Sequence, residues 1–268
     1  MCCSGLADVE LHEGLEVIGE RAFACCPRLR SVTKPSSVTE LDKHAFSWCS
    51  NLARVELPEG LKVIGPKAFG NCWELRIVTI PRSVVELGGL AFGLCRNLSE
   101  VIFFGGERLL NREILDRRLL SEEEGLLNQE KLNELIFGED GSAFNQSPLT
   151  TVKISTSWVL SERMAGLPRE CRPSFETAIR ELPGLELMRD GTVLACFPVA
   201  SGEGEGPGDV RYTTLESTRS LHRVWVALYD LRESSILMEL AMMKDCQVPI
   251  PGPAKSAIFE YCGFTGFL

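Results

Sequence analysis

Residues 51–73 read NLARVELPEGLKVIGPKAFGNCW, and the chain restates this stretch in phase on both sides of it. Stepping outward by 23 residues, Leu6, Leu29, Leu52, Leu75 and Leu98 fall in one column. Phe23, Phe46, Phe69 and Phe92 form another, each directly preceded by an alanine. Cys3, Cys26, Cys49, Cys72 and Cys95 form a third column, Val9, Val32, Val55, Val78 and Val101 a fourth, and Pro35, Pro58 and Pro81 a fifth. A fixed period of this length is the signature of a solenoid, in which each unit packs only on its neighbours. A single unit is too small to bury its own apolar side chains. Stacking buries them, and each fully covered side chain contributes roughly 1.5–3 kcal/mol.

Within one unit, L-x-x-V-x-L ends in the alternation expected of a short strand with an apolar inward face, as at Val55 and Leu57. The proline that follows lacks a backbone donor and ends the strand. A turn at Glu59-Gly60 or Arg82-Ser83 leads into a second extended piece, 61–64 or 84–87, after which Gly65 or Gly88 permits a tight bend. The A-F-x-x-C segment reads as a single helical turn, because residues three apart share a helix face. The second unit departs from the pattern, with Lys34 in an apolar strand column and Asp42 in the glycine column.

These columns resemble the BspA-type (Treponema-type) 23-residue leucine-rich repeat, L-x-x-V-x-I-P…I-G-x-x-A-F-x-x-C, over residues 1–104. The resemblance implies an α/β fold: a right-handed solenoid of short parallel strands with single-turn helices, used for adhesion or protein–protein recognition.

The regular array stops at Phe103-Phe104-Gly105-Gly106. Residues 105–131 have helical spacing and are expected to form an insertion on one face. The stretch 107–140 carries ten acidic and five basic residues. Its Glu122-Glu123-Glu124 run reads as a solvated helix surface, since a metal site needs converging ligands. Residues 132–157 return to the column order in degenerate form, through Leu132, Leu135, Phe137, Ala143-Phe144, Leu149, Val152 and Ile154, and read as a terminal rung. A Pro-punctuated mixed region spans 158–200, with short helices expected over 161–166 and 173–182 and a strand over 192–197. A flexible acidic linker follows at 201–209, and then a helical region at 210–268 whose longest helix covers 216–244. The linker's SGEGEGPG does not make a phosphate loop: G-x-G-x-x-G fails at Pro207, and its glutamates repel phosphate.

With 44% hydrophobic and 24% charged residues the composition is that of a globular protein, while a formal charge of −9 argues against nucleic acid as a partner. No apolar run reaches the roughly 18 residues of a membrane helix. The N-terminus lacks the features of a signal peptide, and the sequence opens in the tail of a repeat, which leaves open an upstream signal on a longer chain. Eleven cysteines without a C-x-x-C pair fit a ladder of buried, reduced thiols, which favours a reducing compartment and a cytoplasmic location. Catalysis has little to work with. His12 and His44 sit in variable repeat positions, and Cys196, His222 and Asp230 lack any surrounding nucleophile signature.

The expected function is therefore a non-catalytic protein–protein interaction module that binds an unidentified protein or peptide without cofactor or metal, with no small-molecule site evident. A fragment of a cell-surface adhesion protein is the second reading, and a cryptic enzyme in residues 158–268 the third. The expected docking face is the set of outward strand positions: Asp8, Glu10, Ser31, Thr33, Arg54, Glu56, Ile77, Thr79, Glu100 and Ile102. Ile77 and Ile102 are its apolar members. If the phenylalanines form one continuous spine, Phe69→Ala should lower the unfolding free energy by roughly 3–5 kcal/mol, read from thermal or urea melts against the parent.

Overall fold

The computed structural model describes residues 3–33, 35–106, 109, 141–156 and 172–199. They belong to two compact units, the first holding 3–106, 109, 141–154 and 197–199, the second 155–156 and 172–196.

The first unit is a solenoid with two rows of short parallel strands. In chain order these are β1 (Asp8–Glu10), β2 (Val17–Ile18), β3 (Ser31–Thr33), β4 (Glu40–Leu41), β5 (Val63–Ile64), β6 (Ile77–Ile80), β7 (Glu86–Leu87), β8 (Glu100–Phe103) and β9 (Thr151–Ser155). The register of the pairs is the sequence period made visible: Val9 lies against Val32, Ile64 against Leu87 and Val78 against Val101. β9 continues β8 in the same sense, with Val101 opposite Val152 and Phe103 opposite Ile154.

The phenylalanine column is a single file of rings. Phe23, Phe46, Phe69, Phe92 and then Phe144 stack with centroids 5.1–5.4 Å apart and planes within 8° of parallel. Phe46, Phe69, Phe92 and Phe144 are essentially inaccessible to solvent, and the leucines of the repeat column (Leu29, Leu52, Leu75, Leu98) are equally buried. Phe144 takes the next place in the file although the chain between it and Phe92 is more than twice one repeat long.

The A-F-x-x-C segment does not form the expected helical turn. Each copy instead holds two non-glycine residues in the left-handed region, two before and two after the phenylalanine: Arg21 and Cys25, His44 and Trp48, Lys67 and Asn71, Leu90 and Leu94, all with φ of 54–64°. This alternation points every second N–H at the next rung, so Lys67, Phe69 and Asn71 donate to the carbonyls of Gly89, Ala91 and Gly93 at 2.7–3.0 Å. The same three bonds recur from His44, Phe46 and Trp48 to Pro66, Ala68 and Gly70. A helix would direct those donors into its own turn and leave the rungs unconnected on this side.

The glycine column also differs in its cause. Gly65 and Gly88 do not have positive φ. A Cβ on Gly65 would lie 2.8 Å from the Leu41 carbonyl oxygen, and one on Gly88 2.5 Å from the Pro66 nitrogen. The position is small because successive rungs touch there.

Residues 53–57 are the other departure. The strand expected at Val55 and Leu57 is absent, so the front row divides into a β1–β3 pair and a β6–β8–β9 run. Strands of the longer run carry two buried anchors each, Val78 with Ile80, Val101 with Phe103 and Val152 with Ile154. In the third rung Val55 is buried but Leu57 only half so, and the residue one period before Leu57 is Lys34. A strand held by one anchor, with a charged residue in its partner's column, loses the packing that sets register.

In the second unit, α1 (Arg172–Glu181) packs on β10 (Leu185–Leu187), which pairs antiparallel with β11 (Val193–Pro198). Ile179, Leu182, Val193, Leu194 and Ala195 are its buried apolar residues. The insertion expected at 105–131, the linker at 201–209 and the mainly helical region at 210–268 lie, apart from Gly105, Gly106 and Leu109, outside the described residues, as does the helix expected at 161–166.

Two substitutions separate the causes given for these positions. Lys67→Gly relieves a left-handed backbone without touching the core and should raise stability by up to about 1 kcal/mol. Gly65→Ala pushes a methyl group into the preceding rung and should lower it by roughly 1–3 kcal/mol, both measured by urea denaturation.

Candidate functional site: the strand face of the solenoid

The front row of strands sets alternate side chains outward, and the register places them in two columns. In the first, Asp8 pairs with Ser31 and Ile77 with Glu100; in the second, the backbone of Glu10 pairs with that of Thr33, and Thr79 with Ile102, while Arg54 and Glu56 belong to the columns by the 23-residue count alone. The pairing of β8 with β9 adds Thr151 beside Glu100 and Lys153 beside Ile102, two positions that the 23-residue count misses because the intervening chain is longer.

Within this face the ten expected residues do different things. Asp8 accepts a hydrogen bond from the Ser31 hydroxyl at 3.1 Å, in the open. Arg54 and Glu56, two apart in one rung, pair with each other at 2.8 Å while both stay largely exposed, an arrangement that adds little stability. Ile77 is 49% exposed, an unusual state for isoleucine on a surface otherwise polar. Glu100 meets Lys153 at 3.0 Å with only 21% and 15% of their side chains exposed, so this carboxylate already has a counter-ion. Thr79 and Ile102 are half-buried. Solvent access to the face is thus greatest from the first rung to Ile77 and falls toward β9.

Where the third rung drops out of the ladder, a groove of about 630 Å³ opens, lined by residues 53–57 together with Glu59, Arg76, Ile77, Thr79, Pro81 and Phe104. The hydrogen bonds that join Arg30 N–H to Ala7 and Ser99 N–H to Arg76 have no counterpart between Ala53 and either neighbouring rung. Nothing in the repeat pattern signals Arg76 or Phe104 as part of such a groove; the substitution at Lys34 is the one sequence cue to its place.

The cysteines of the repeat are structural. Cys49, Cys72 and Cys95 are fully buried, and each thiol points at the phenylalanine carbonyl of the preceding rung: Sγ of Cys49 to Phe23 at 3.1 Å, Cys72 to Phe46 at 3.3 Å and Cys95 to Phe69 at 3.2 Å. In the fifth rung Ser147 takes the place of cysteine, its hydroxyl donating to Phe92 at 2.7 Å and accepting from the Cys95 N–H at 3.1 Å. The column is therefore a run of weak donors to the phenylalanine carbonyls, which at Phe46 and Phe69 also accept the backbone N–H of Cys49 and Cys72, beyond the small hydrophobes expected of it. Burial pushes the thiols of Cys49 and Cys95 up to about 12. A thiol so protonated is a poor nucleophile.

Other candidate chemistry is sparse among the described residues. His44 sits in a left-handed turn, its pKa lowered by partial burial and by Arg21, Lys67 and Lys43, which keeps it neutral at pH 7. No three of the His, Cys, Asp and Glu side chains described are grouped to hold a metal ion, and no described helix is long and apolar enough to cross a membrane. Cys196 lies in β11, while His222, Asp230 and Glu122-Glu123-Glu124 lie outside the described residues. On the turn side of the solenoid, Trp48 meets Trp73 edge-on at 6.0 Å and the Arg96 guanidinium lies 4.5 Å over the Trp73 ring, so these groups are occupied with one another.

The periodic register, the ring file and the cysteine donors agree with one repeat family over residues 1–106. That stretch is similar to the BspA-type leucine-rich repeat region. It matches the model of that family in six copies. Among solved structures, a leucine-rich repeat protein of T. pallidum is 37% identical, with 37% of this chain and 47% of that one covered and a TM-score of 0.37. A leucine-rich repeat protein from Bacteroides ovatus is 31% identical over 38% of this chain and 30% of its own, with a TM-score of 0.36. A leucine-rich cell surface protein from Faecalibacterium prausnitzii is 24% identical over 38% of this chain and 36% of its own, with a TM-score of 0.29. This chain thus spans less than half the length of each of these proteins. No curated protein matches it.

The thiol assignment has a pH signature. Because Cys49 and Cys95 titrate in the fold near 12, above their ordinary 9.0, their contribution to stability is complete below pH 9 and is lost as pH rises toward 12. Urea midpoints should fall steadily above pH 9. At pH 8 a soluble disulfide reagent should modify the exposed Cys3 in the native chain but leave Cys49, Cys72 and Cys95 unreacted until urea is added.

Proposed function

We propose that the protein is a non-catalytic recognition module whose strand face, from Asp8 to Ile102, binds a protein or peptide. The observation that carries this reading is the division of labour within each repeat. Phenylalanine, leucine, cysteine and glycine columns are consumed by stacking, whereas the outward strand positions differ from rung to rung and take little part in holding the fold. Leucine-rich repeats as a family are generally protein-interaction or cell-surface modules, which agrees with this use of the surface. Ile77 is the natural anchor, being the large apolar side chain most open to solvent on this face. An anchor that leaves water for a partner's pocket contributes more than the polar positions around it.

A cytoplasmic site of action belongs to the same proposal, on the strength of the exposed thiol of Cys3. The exposed Cys3 carries most of that argument, because the buried column is shielded from oxidants in any compartment.

The test is a pair of substitutions. Ile77→Asp with Ile102→Asp should leave the thermal melt within a few degrees of the parent. The same change should weaken capture of the cognate partner from a cell extract at least tenfold, scored by quantitative mass spectrometry. Full retention of every partner by a folded double variant would overturn the reading.

A further inference from the structure

The turns that carry the ring file present a second surface, away from the strand face. One of its columns runs Arg21, His44 and Lys67. Arg21 N–H donates to the Lys43 carbonyl and His44 N–H to the Pro66 carbonyl, so successive members lie one rung apart, as do the rings of Phe23, Phe46 and Phe69 at 5.2 and 5.4 Å. Arg21 pairs with Glu20 at 3.1 Å. Lys43, Lys67 and, further along the turn side, Arg96 over its Trp73 ring meet no carboxylate at ion-pair distance among the described residues. In a chain of formal charge −9, composition does not account for such a surplus of cations. Burial and then the charges of Arg21, Lys67 and Lys43 lower the pKa of His44; Glu20 opposes them, and Asp42 is turned to the Lys43 N–H at 2.6 Å. Trp48, four residues beyond His44, keeps 49% of its surface open despite its edge contact with Trp73, and Leu94 in the same column keeps 39%.

Unpaired cations that repeat with the rungs, beside an open indole, select among anionic partners. An extended peptide sets side chains of one face roughly 6.6 Å apart, wider than a rung, and gains most from backbone bonds. On this face alternate N–H groups are already spent on the next rung. Single-stranded nucleic acid stacks successive bases on successive aromatic rings, and Trp48 shares its column with Cys25, Asn71 and Leu94. Linked pyranose rings suit the face better. Each is about as long as a rung is high, each can bear one acid group, and their C–H faces pack on an indole.

We infer that the turn face from Lys43 to Arg96 binds a linear acidic polysaccharide, with acid groups of successive sugars meeting Lys43, Lys67 and Arg96 and one ring lying on Trp48. This site goes beyond the strand-face reading, and neither depends on the other. An anion beside His44 favours its imidazolium, so the complex takes up a proton and tightens as pH falls from about 8 to about 5. Added salt weakens it.

The test titrates heparin and polygalacturonate hexasaccharides onto the full chain by calorimetry, with cellohexaose as the uncharged probe. At least one acidic hexasaccharide should bind and cellohexaose should not; heparin alone identifies sulfate as the recognised group, polygalacturonate alone carboxylate. Lys43→Gln with Lys67→Gln should lower the affinity tenfold or more, and Trp48→Ala by a similar factor. Lys62→Gln, a loss of one exposed charge five residues from Lys67, should stay within twofold. His44→Gln should flatten the pH profile. Thermal melts check that each variant is folded, and the two exposed lysines keep the test decisive if Trp48→Ala unfolds. Four results overturn the inference: no acidic hexasaccharide bound, a loss with Lys62→Gln equal to that of the lysine pair, a pH profile unchanged by His44→Gln, or tighter binding of a single-stranded oligonucleotide or an acidic peptide than of either glycan.

Discussion

Everything in the first unit depends on one constraint: successive rungs must present the same atoms at the same height. The file of phenylalanine rings sets that requirement from the inside, since flat rings about 5 Å apart tolerate neither a missing nor a larger member. The left-handed turns meet it from the other side, by aiming alternate N–H groups across the gap between rungs. The glycine column meets it at the one place where backbones come into contact. Each device is weak alone, and each needs the others to hold the spacing.

This explains which parts of the fold are readable from residue types. Columns whose side chains face inward are chemically uniform, so the stacking of Phe23 to Phe92 and the pairing of Val9 with Val32 follow from periodicity alone. Backbone conformation is another matter. The residues at φ near 60° are Arg21, His44, Lys67 and Leu90 in one column and Cys25, Trp48, Asn71 and Leu94 in the other, types with no common preference. They adopt the left-handed region because three inter-rung bonds outweigh a strain of roughly 1–2 kcal/mol each, and a tertiary cause of that kind leaves no mark in composition. The A-F-x-x-C spacing predicts a helical turn, and the inter-rung bonds override it. For the candidate face, the alternation locates its columns as far as Ile102, but Thr151 and Lys153 join it across a chain segment of non-repeat length. The groove beside Ile77 depends on a failure of pairing that Lys34 hints at and does not specify.

The cysteine column shows how a residue is chosen for two properties at once. A thiol is small and apolar enough to disappear beneath the ring file, and it still offers a weak hydrogen to a carbonyl oxygen, whose two lone pairs can take a backbone N–H as well. Ser147, at the last rung, makes the same bond with a stronger donor. That exchange marks the carbonyl as the fixed requirement and the sulfur as one way of meeting it.

The long excursion between Phe92 and Phe144 carries a lesson about chain connectivity. Ring follows ring there as closely as anywhere else, although the path from one to the next is about twice the usual length, and the entropic penalty of closing so extended a detour grows only as its logarithm, by roughly 0.6 kcal/mol per doubling. Topological neighbours in this coil are therefore defined through space, and the covalent route between them is nearly free to lengthen. Such a junction is a natural port for splicing in foreign sequence, because what happens along the detour is almost invisible to the spine it leaves and rejoins.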